Sequence, residues 1–311
     1  MMLSEKYRPK TLDDVVGQKE IINTLKDYVK KGEFPHLMFI GSPGLGKTST
    51  AYAFAHDINM PLIEFNASDD RTLEFIRERI KPIAMNADEK IILLDEFDAM
   101  TSNAQFALRR IMEETRTTHF ILTGNNEGSI IDAIKSRCAV FRFRPIPKDD
   151  LVKTIVRILK SENVKFKSKE EVQEVINGII ELSEGDLRKT MNLLEQSIVG
   201  GSINLDYLKL LTSPNLMNGV LELAIKGDLN NALKQLEDVY ANLGLDYNIA
   251  FRKLYQSISS LDLRYRAVGL MELARAEQAV RTGSNPLIQL SSVIARVFYE
   301  VVMNANKSNN S

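Results

Sequence analysis

Residues 41–48 of the chain read Gly41-Ser42-Pro43-Gly44-Leu45-Gly46-Lys47-Thr48, which fills the pattern G-x-x-x-x-G-K-[S/T]. They lie between an apolar stretch (37–40) and a stretch of helical character that begins with Ser49. A glycine-rich loop between a strand and a helix lets successive backbone N–H groups surround phosphate oxygens at the positive end of the helix. The sequence therefore predicts that residues 41–49 bind a nucleoside triphosphate.

Two side chains of this loop have chemistry of their own. Lys47 is expected to reach the β- and γ-phosphates, and Thr48 is expected to be a ligand of Mg²⁺. The alternative is a chance glycine-rich turn, and the strand and helix patterns on its flanks argue against that alternative.

A second element, residues 90–97, reads K-I-I-L-L-D-E-F and predicts an apolar strand that ends in two acids. Asp95, at the carboxyl end of the strand, can hold Mg²⁺ through water. Glu96, beside it, can orient and deprotonate an attacking water. Together with the loop upstream, this pair indicates nucleotide hydrolysis rather than nucleotide storage.

Length and composition narrow the class of protein. The 311 residues are enough for two or three domains, and 44% apolar with 26% charged residues are globular values. The chain contains no run of about 18 apolar residues, so the sequence predicts no membrane span. We also find no leader of the secretory kind and expect the chain to be intracellular. Cys138 is the only cysteine, which excludes an internal disulfide. With a net charge of −1, any contact with nucleic acid must use a local basic surface.

The first part of the chain alternates strand and helix patterns, which predicts an α/β fold. Candidate strands are 36–40, 62–66, 91–95, 120–123 and 140–143. Such alternation favours a parallel sheet covered by helices on both faces, with ligands at the carboxyl ends of the strands. Pro145 and Pro147 end the last strand, because proline has no N–H to donate to a neighbouring strand.

From residue 148 onward the apolar residues recur at helical spacing, and we expect no strand. Gly200-Gly201 and a loop near Ser213-Pro214 separate groups of helices. The expected domains are a nucleotide-binding domain (1–145), a helical lid (146–205), an all-α domain (206–303) and a polar, disordered tail (304–311).

Several short motifs follow one another between residues 5 and 196. They are Glu5-Lys6-Tyr7-Arg8-Pro9 with Asp14-Val15-Val16-Gly17-Gln18; Asn66-Ala67-Ser68-Asp69; Asp95-Glu96-Phe97-Asp98 with the helix 104–113; Ser136-Arg137-Cys138; and Gly185-Asp186-Leu187-Arg188-Lys189. This set resembles the motifs of clamp-loader ATPases of the AAA+ class, and in particular the replication factor C small subunits of archaea and eukaryotes. The helical remainder has the length of the collar in that family.

The resemblance implies a function. A member of this family is a P-loop ATPase that uses ATP and Mg²⁺ to load a sliding clamp onto primer-template DNA. It works in a ring or spiral of five with a clamp-loader large subunit and other small subunits, and not at a membrane. The location implied is the cytoplasm or nucleoid of an archaeon, or the nucleus of a eukaryote.

The resemblance also implies roles for three polar residues. Arg137 would complete the site of a neighbouring subunit by stabilising charge on the γ-phosphate. Asn125, after the strand 120–123, would hold the attacking water or the γ-phosphate. Arg188, in the first turn of a helix, would contact phosphate and couple lid closure to the nucleotide. Arg137 in a local salt bridge, Asn126 in place of Asn125, and Arg188 as an exposed helical residue remain alternatives.

Other residues extend the implied binding surfaces. Arg8 with Pro9, and Val15 with Val16, resemble the strap that covers the adenine in this family; the valines could also be ordinary core. Basic residues on two helices would track one DNA strand through its phosphates: Arg77, Lys81, Arg109 and Arg110. A mixed, solvated helix face is the alternative for them, and Arg110 could instead support the acidic pair. Ile83 and Met85 are candidate contacts with the clamp.

The chain departs from the family pattern at Ser42, Leu45, Phe97 and residues 126–128, which affects the expected sensor geometry. A second class of function also fits an AAA+ domain: a branch-migration motor or a protein-remodelling ATPase, or else a scaffold subunit without hydrolysis. Remodelling enzymes carry an aromatic pore loop that we do not find here, and scaffold subunits lose groups such as Lys47 or Asp95. The Asn66 and Arg137 motifs favour the loader.

Overall fold

The computed structural model describes residues 2–204, 208, 217–242 and 247–308. The chain divides into two compact units, Met1–Lys167 with Ser183–Ile203, and Ser168–Leu182 with Asn204–Ser311. The division into a nucleotide-binding domain, a lid and an all-α domain stays a prediction, and its boundary at residue 205 lies outside the described residues.

The elements alternate as the sequence predicts, up to the fifth strand. In chain order they are α1 (Leu3–Lys6), α2 (Lys19–Lys31), β1 (His36–Ile40), α3 (Lys47–Asp57), β2 (Leu62–Asn66), α4 (Leu73–Phe75), a π-helical turn (Ile76–Ile80), α5 (Lys81–Ala84), β3 (Lys90–Asp95), α6 (Ser102–Glu114), β4 (Thr118–Gly124), α7 (Asp132–Lys135) and β5 (Cys138–Arg142). Short 3₁₀ turns occupy Leu12–Asp14, Phe97–Ala99 and Glu127–Ser129.

After the fifth strand the described elements are helical except for one short hairpin. They are α8 (Lys148–Ser161), α9 (Lys169–Ser183), α10 (Leu187–Ser197), β6 (Ile198–Val199), β7 (Ser202–Ile203), α11 (Asn218–Ile225), α12 (Leu229–Asn242), α13 (Tyr247–Ser259), α14 (Leu263–Arg281) and α15 (Pro286–Ser308).

The five long strands form one parallel sheet in the order β2-β3-β4-β1-β5. The predicted strands are therefore confirmed, and β1 and β2 have the predicted bounds. The fifth strand occupies Cys138–Arg142 rather than 140–143. Its register pairs Cys138 with His36 of β1, and such a partner cannot be seen in the local pattern of the sequence.

Each face of the sheet packs against its own layer of helices, because successive side chains of a strand point to opposite faces. On one face Leu37, Phe39, Ile91 and Leu93 join the apolar side of α2 and α3. On the other face Met38, Ile40, Ile92 and Leu94 join α4 to α7. These apolar residues are 6% exposed or less. This arrangement confirms the predicted sheet with helices on both faces.

The hairpin β6–β7 corrects the expectation that no strand follows residue 148. Ile198 pairs with Ile203 and Val199 with Ser202, around Gly200 and Gly201. Both glycines have positive φ, 59° and 77°, and two such residues in succession form the turn that matches the twist of a two-residue hairpin. Strands of two residues carry no alternation for a sequence pattern to reveal.

The second unit is helical throughout its described part. Side chains of α11 to α15 form a single apolar core, in which Met217, Leu254, Leu290 and Ile294 are fully buried. The predicted loop near Ser213-Pro214 lies outside the described residues. At the other end, α15 continues to Ser308 where we expected a disordered tail from residue 304, since Ala305 and Lys307 are good helix formers. Among the described helices, none is long and apolar enough to span a membrane.

Candidate nucleotide-binding site

A cleft of 590 Å³ opens at the carboxyl ends of the strands in the first unit. This edge is where parallel α/β sheets bind ligands. The lining residues come from the N-terminal segment, the phosphate loop, the strand ends and α10: Ser4, Glu5, Tyr7, Arg8, Pro9, Pro43, Gly44, Gly46, Lys47, Thr48, Ser49, Glu64, Asp95, Glu96, Thr123, Gly124, Asn125, Leu187, Arg188 and Met191. The loop and the acidic pair, 47 residues apart in sequence, thus face the same space.

The phosphate loop requires glycine at defined positions. Gly44 and Gly46 have φ of 75° and 88°, in the left-handed region that other residues enter at a cost. Gly41 approaches β5 so closely that a Cβ there would lie 2.7 Å from the carbonyl oxygen of Phe143. The loop therefore has the glycine-dependent backbone that a phosphate-binding loop at the start of a helix needs.

Lys47 is only 8% exposed and uses its ammonium group within the loop. Its Nζ donates to the carbonyl oxygens of Gly41 (2.6 Å) and Ser42 (2.9 Å), and to Oδ1 of Asn125 (2.9 Å). Burial lowers the pKa of Lys47, and the nearby carboxylate of Asp95 acts against this shift. Phosphate oxygens would replace neutral carbonyl partners with charged ones and favour the protonated lysine.

Thr48 and Asp95 meet at the proposed metal position. The hydroxyl of Thr48 donates to Oδ1 of Asp95 at 2.8 Å, and the hydroxyl of Thr123 donates to the same oxygen. Thr123 Oγ1 in turn accepts a hydrogen bond from the backbone N–H of Glu96 at 3.2 Å. Glu96 has a left-handed φ of 54° and, like Asp95, lines the cleft.

Asn125, and not Asn126, is the asparagine that the structure brings to the loop. Asn125 accepts the hydrogen bond from Lys47 described above. The side chain of Asn126 instead caps a turn by accepting from the backbone N–H of Gly128 at 3.0 Å. Its own backbone N–H donates to Asp98 Oδ2 at 3.0 Å, which anchors this segment.

The start of α10 closes the cleft on one side. The backbone N–H of Leu187 donates to the carbonyl oxygen of Gly44 at 3.0 Å. Asp186 caps the helix by accepting from the N–H of Lys189 at 2.8 Å, which agrees with the prediction that Arg188 lies in the first turn of a helix. Arg188 lies in the first turn and lines the cleft, close enough for its charge to act on Lys47.

The predicted strap divides into residues that line the cleft and residues that do not. Arg8 and Pro9 belong to its wall. Val15 packs against the core beneath α3, and neither Val15 nor Val16 is among the described residues that line the cleft. Gly41, Ser42 and Leu45 are also absent from that described wall, and Leu45 is buried in the core. Nucleotide contacts for these residues stay predictions.

Arg137 lies apart from the cleft wall of the described residues, and both of its terminal nitrogens have partners in its own chain. Nη1 donates to the carbonyl oxygen of Ala133 at 2.7 Å, and Nη2 bonds to the carboxylate of Glu113. Glu113 also pairs with Nε of Arg109 at 3.5 Å. In the single chain, the arrangement is thus the local salt bridge that the sequence left open as an alternative.

The other basic candidates lie on neighbouring helices. Arg77 and Lys81 are exposed on the segment 73–84, which packs against α6. Arg110 is exposed on α6, and among the described residues it forms no ion pair. Arg109 is half-buried, and its Nε has no hydrogen-bond partner in the described part of the chain. These four residues therefore lie on two helical segments that pack together, and their contact with DNA stays a prediction.

Three residues that support the site were given no role in the sequence analysis. Thr123 orients Asp95, and Asp98 anchors the segment that carries Asn125. Gln105 is fully buried on α6, where its amide donates to the carbonyl oxygens of Met100 (3.1 Å) and Ser129 (2.9 Å) and accepts from the N–H of Ile131 at 2.9 Å. A glutamine on the apolar side of a predicted helix was the one available signal.

Parallel strands, a phosphate loop and an acidic strand end define a P-loop ATPase domain, and comparison with known proteins agrees. Residues 37–146 match the model of the ATPase family associated with various cellular activities (AAA). The RuvB Holliday junction branch migration motor of Thermotoga maritima has a similar fold, with a TM-score of 0.57 over 77% of this chain and 86% of that chain. At 17% identity, this likeness concerns the fold alone.

The remaining comparisons identify the family. Residues 212–296 match the replication factor C C-terminal domain. The replication factor C small subunits of Staphylothermus marinus and Archaeoglobus fulgidus are each 37% identical to this chain, over 96% and 94% of it and 95% of each relative. That of Aeropyrum pernix is 37% identical over 95% of both. The chain belongs to the replication factor C small-subunit family: it is an ATPase with a clamp-loader role in DNA replication.

Proposed function

We propose that this chain works in a ring or spiral of five, with a large subunit and other small subunits, and that its ATP hydrolysis loads a sliding clamp onto primer-template DNA. The separation of Arg137 from its own cleft carries this proposal. The described cleft wall holds Lys47, Asp95, Glu96 and Asn125, while Arg137 bonds to Glu113 outside it. A site that needs a further cation beside the γ-phosphate is then completed by a neighbouring subunit.

Mg²⁺ fits the donor set at the start of α3. The Thr48 hydroxyl and the Asp95 carboxylate lie 2.8 Å apart, and both are oxygen donors of the kind that this cation takes beside phosphate oxygens. When bound there, the metal supplies charge neutralisation on the phosphates. Thr48 and Asp95 would hold it, and Thr123 would keep the Asp95 carboxylate in orientation.

Four side chains have the remaining roles in binding and hydrolysing ATP. Lys47 moves its hydrogen bonds from loop carbonyls to the β- and γ-phosphates, which frees the Asn125 amide to hold the attacking water or the γ-phosphate. Glu96 orients that water and accepts its proton. Arg188, on the first turn of α10, contacts phosphate and couples the position of a helical lid (146–205) to the bound nucleotide.

The proposed DNA surface comprises Arg77, Lys81, Arg109 and Arg110 on two packed helices. Their charges would follow one strand through its phosphates, without reading the bases. Ile83 and the exposed Met85, at the end of the first of these helices, are proposed contacts with the clamp. The archaeal relatives support a location in the cytoplasm.

The test is the response of ATP hydrolysis to the two partners of loading. A complex assembled with this chain should hydrolyse ATP faster when a sliding clamp and primed DNA are added together than with either alone. A branch-migration motor or a remodelling enzyme would ignore the clamp, so a rate unaffected by the clamp would sink the proposal.

A variant ties that response to the cleft. Lys47→Ala should abolish ATP-dependent clamp loading, because no other described cation takes the place of Lys47 within the phosphate loop. Lys31→Ala, at an exposed position on α2, is the matched control and should load normally. Normal loading by a complex in which every copy of this chain carries Lys47→Ala would contradict the assignment.

A further inference from the structure

One wall of the cleft is built from Arg8, Tyr52 and Glu64. The guanidinium carbon of Arg8 lies 4.8 Å from the centre of the Tyr52 ring. The Tyr52 hydroxyl donates a hydrogen bond to the carboxylate of Glu64. Arg8 and Glu64 line the cleft, and Tyr52 stands behind them, half-buried against the core. No motif of the sequence includes Tyr52 or Glu64.

This wall stands at the phosphate end of the cleft. Tyr52 follows Thr48 by four residues in α3, so that both side chains share one face of the helix. Glu64 lies on β2 two residues before Asn66, which pairs with Asp95, so Glu64 and Asp95 share one face of the sheet. The ring beneath Arg8 therefore lies next to the Thr48–Asp95 pair.

Tyr52 is held as a neutral donor. Burial and the hydrogen bond to Glu64 raise the pKa of Tyr52 to about 12. The hydroxyl therefore remains a donor well above neutral pH, and the hydrogen bond to Glu64 anchors the far end of the ring. A fixed ring offers a constant face to the guanidinium above it.

Stacking leaves the Arg8 guanidinium available for a ligand. A guanidinium that lies over an aromatic face is attracted by the ring and keeps its in-plane N–H donors unused. Among the described residues, no carboxylate forms an ion pair with Arg8. Donors of this geometry match phosphate oxygens better than they match an adenine ring.

We infer that Tyr52 is a positioning residue that holds the Arg8 guanidinium at the phosphate end of the cleft, where Arg8 binds the β- or γ-phosphate of the nucleoside triphosphate. Glu64 supports Tyr52 by accepting a hydrogen bond from its hydroxyl group. The inference rests on the proposed nucleotide site, and it moves Arg8 from the adenine-covering strap to the triphosphate.

The experiment measures nucleotide affinity of the full chain by competition of ATP, ADP and AMP against a fluorescent ATP analogue. Arg8→Gln should weaken ATP most, ADP less and AMP least. Tyr52→Leu removes the ring and should reproduce this ranking, with an ATP loss of about 3- to 30-fold, the range of one cation–π contact. Tyr52→Phe keeps the ring and should stay within about 2-fold of the unaltered chain.

Tyr28→Leu is the matched control, because Tyr28 is a half-buried tyrosine that packs against the same core. It should leave the three affinities unchanged. Equal losses of ATP and AMP in Arg8→Gln would place Arg8 at the adenosine or the α-phosphate and overturn the inference. Unchanged ATP affinity in Tyr52→Leu, or equal losses in Tyr28→Leu, would remove the positioning role.

Circular dichroism would reveal whether Tyr52→Leu fails to fold. Even then, the Arg8→Gln variant, at an exposed position, decides whether Arg8 contacts the β- or γ-phosphate rather than the adenosine or the α-phosphate. Failure of the proposed function looks different: ATP hydrolysis by the assembled complex would not respond to the sliding clamp, whereas the ranking of losses in Arg8→Gln would persist. If only this inference fails, the unaltered chain binds ATP as before and the ranking of losses is absent.

Discussion

Arg137 is the residue whose surroundings differ most between the single chain and the proposed complex. Its contacts with Ala133 and Glu113 occupy both terminal nitrogens. To donate to a phosphate in a neighbouring site, it must release at least Glu113. Ion pairs as exposed as this one stabilise by about 1 kcal/mol or less, so a strongly charged phosphate can displace Glu113.

We predict that Arg137→Ala leaves ATP binding by the isolated chain near normal and lowers hydrolysis in the assembled complex by about 10³-fold or more at each affected site, the range of arginine fingers. Single-turnover hydrolysis in complexes that carry the change in one subunit at a time measures this. Arg142→Ala is the matched control, since Arg142 also pairs with a glutamate, Glu127, on the surface.

Two outcomes would count against action across an interface. An equal fall of hydrolysis by the isolated chain would mean that Arg137 acts within its own subunit. If Arg137 must be released from Glu113, the variant Glu113→Gln should hydrolyse ATP at or above the rate of the unaltered complex. If Glu113→Gln instead lowered hydrolysis as much as Arg137→Ala does, hydrolysis would require the intact Arg137–Glu113 ion pair.

Thr123 carries a prediction about the metal. Thr123→Val keeps the shape of the side chain and removes the hydrogen bond to Asp95. A hydrogen bond to a charged group contributes about 1.5–3 kcal/mol, so the Mg²⁺ concentration for half-maximal hydrolysis should rise by about tenfold or more. A magnesium titration of the ATPase rate measures the change.

Thr24→Val serves as its control, because the exposed Thr24 hydroxyl bonds, within the described part of the chain, only to the carbonyl of Glu20 in its own helix. That variant should keep the magnesium dependence of the unaltered complex. If Thr123→Val kept it too, Thr123 would have no part in orienting Asp95.

Among the elements, α10 is in direct contact with the phosphate loop. Leu187 donates to the carbonyl oxygen of Gly44, and the Asp186 carboxylate lies directly over Gly44. A Cβ at Gly44 would lie 1.8 Å from Oδ1 of Asp186. The helix that carries Arg188 therefore rests on a glycine of the loop, and any side chain there must displace it.

We predict that Gly44→Ala lowers the thermal unfolding midpoint more than Gly46→Ala does. Both glycines have left-handed φ, so both alanines bear strain of about 1–2 kcal/mol. A Cβ at Gly46 meets nothing within 4 Å, whereas at Gly44 it meets Asp186. Differential scanning calorimetry without nucleotide measures the two midpoints; equal shifts would mean that α10 does not rest on the loop in solution.

At the scale of the whole molecule, a net charge of −1 provides no general attraction to DNA. The proposed surface must then account for the salt dependence of DNA binding. Replacing Arg77, Lys81 and Arg109 together by glutamine should weaken primed-DNA binding for every sequence and reduce the slope of log affinity against log salt by about 0.9 for each DNA phosphate that is no longer neutralised. A salt series of dissociation constants of the complex measures the slope.

A control triple at exposed lysines on other elements, Lys19, Lys31 and Lys160, should leave the slope unchanged. If the slope of log affinity against log salt were unchanged in the variant of Arg77, Lys81 and Arg109, these three residues would be solvated surface residues that do not contact DNA. Arg110→Gln is measured separately: a fall in hydrolysis without a change of slope would assign it to support of the acidic pair.

The local pattern of the chain was sufficient for the sheet and for the loop. Alternating apolar runs and helical spacing predicted five parallel strands, because burial on both faces leaves continuous apolar stretches in the sequence. Gly41 to Thr48 and the acids at the end of β3 predicted the cleft, since a phosphate loop and a strand-end carboxylate are each contained in a few adjacent residues. The short hairpin at Gly200-Gly201 was missed, because two-residue strands have no periodicity.

Contacts between residues far apart in the chain could not be predicted from the local sequence pattern. The hydroxyl of Thr123 on Asp95, the choice of Asn125 over Asn126, the pair Arg137–Glu113 and the ring of Tyr52 beneath Arg8 all depend on which elements become neighbours. That neighbourhood follows from strand order and from the packing of helices on the sheet. The motifs identify the residues that bind and hydrolyse the nucleotide, because each motif is local in the sequence. Strand order and helix packing determine which other side chains hold those residues in place.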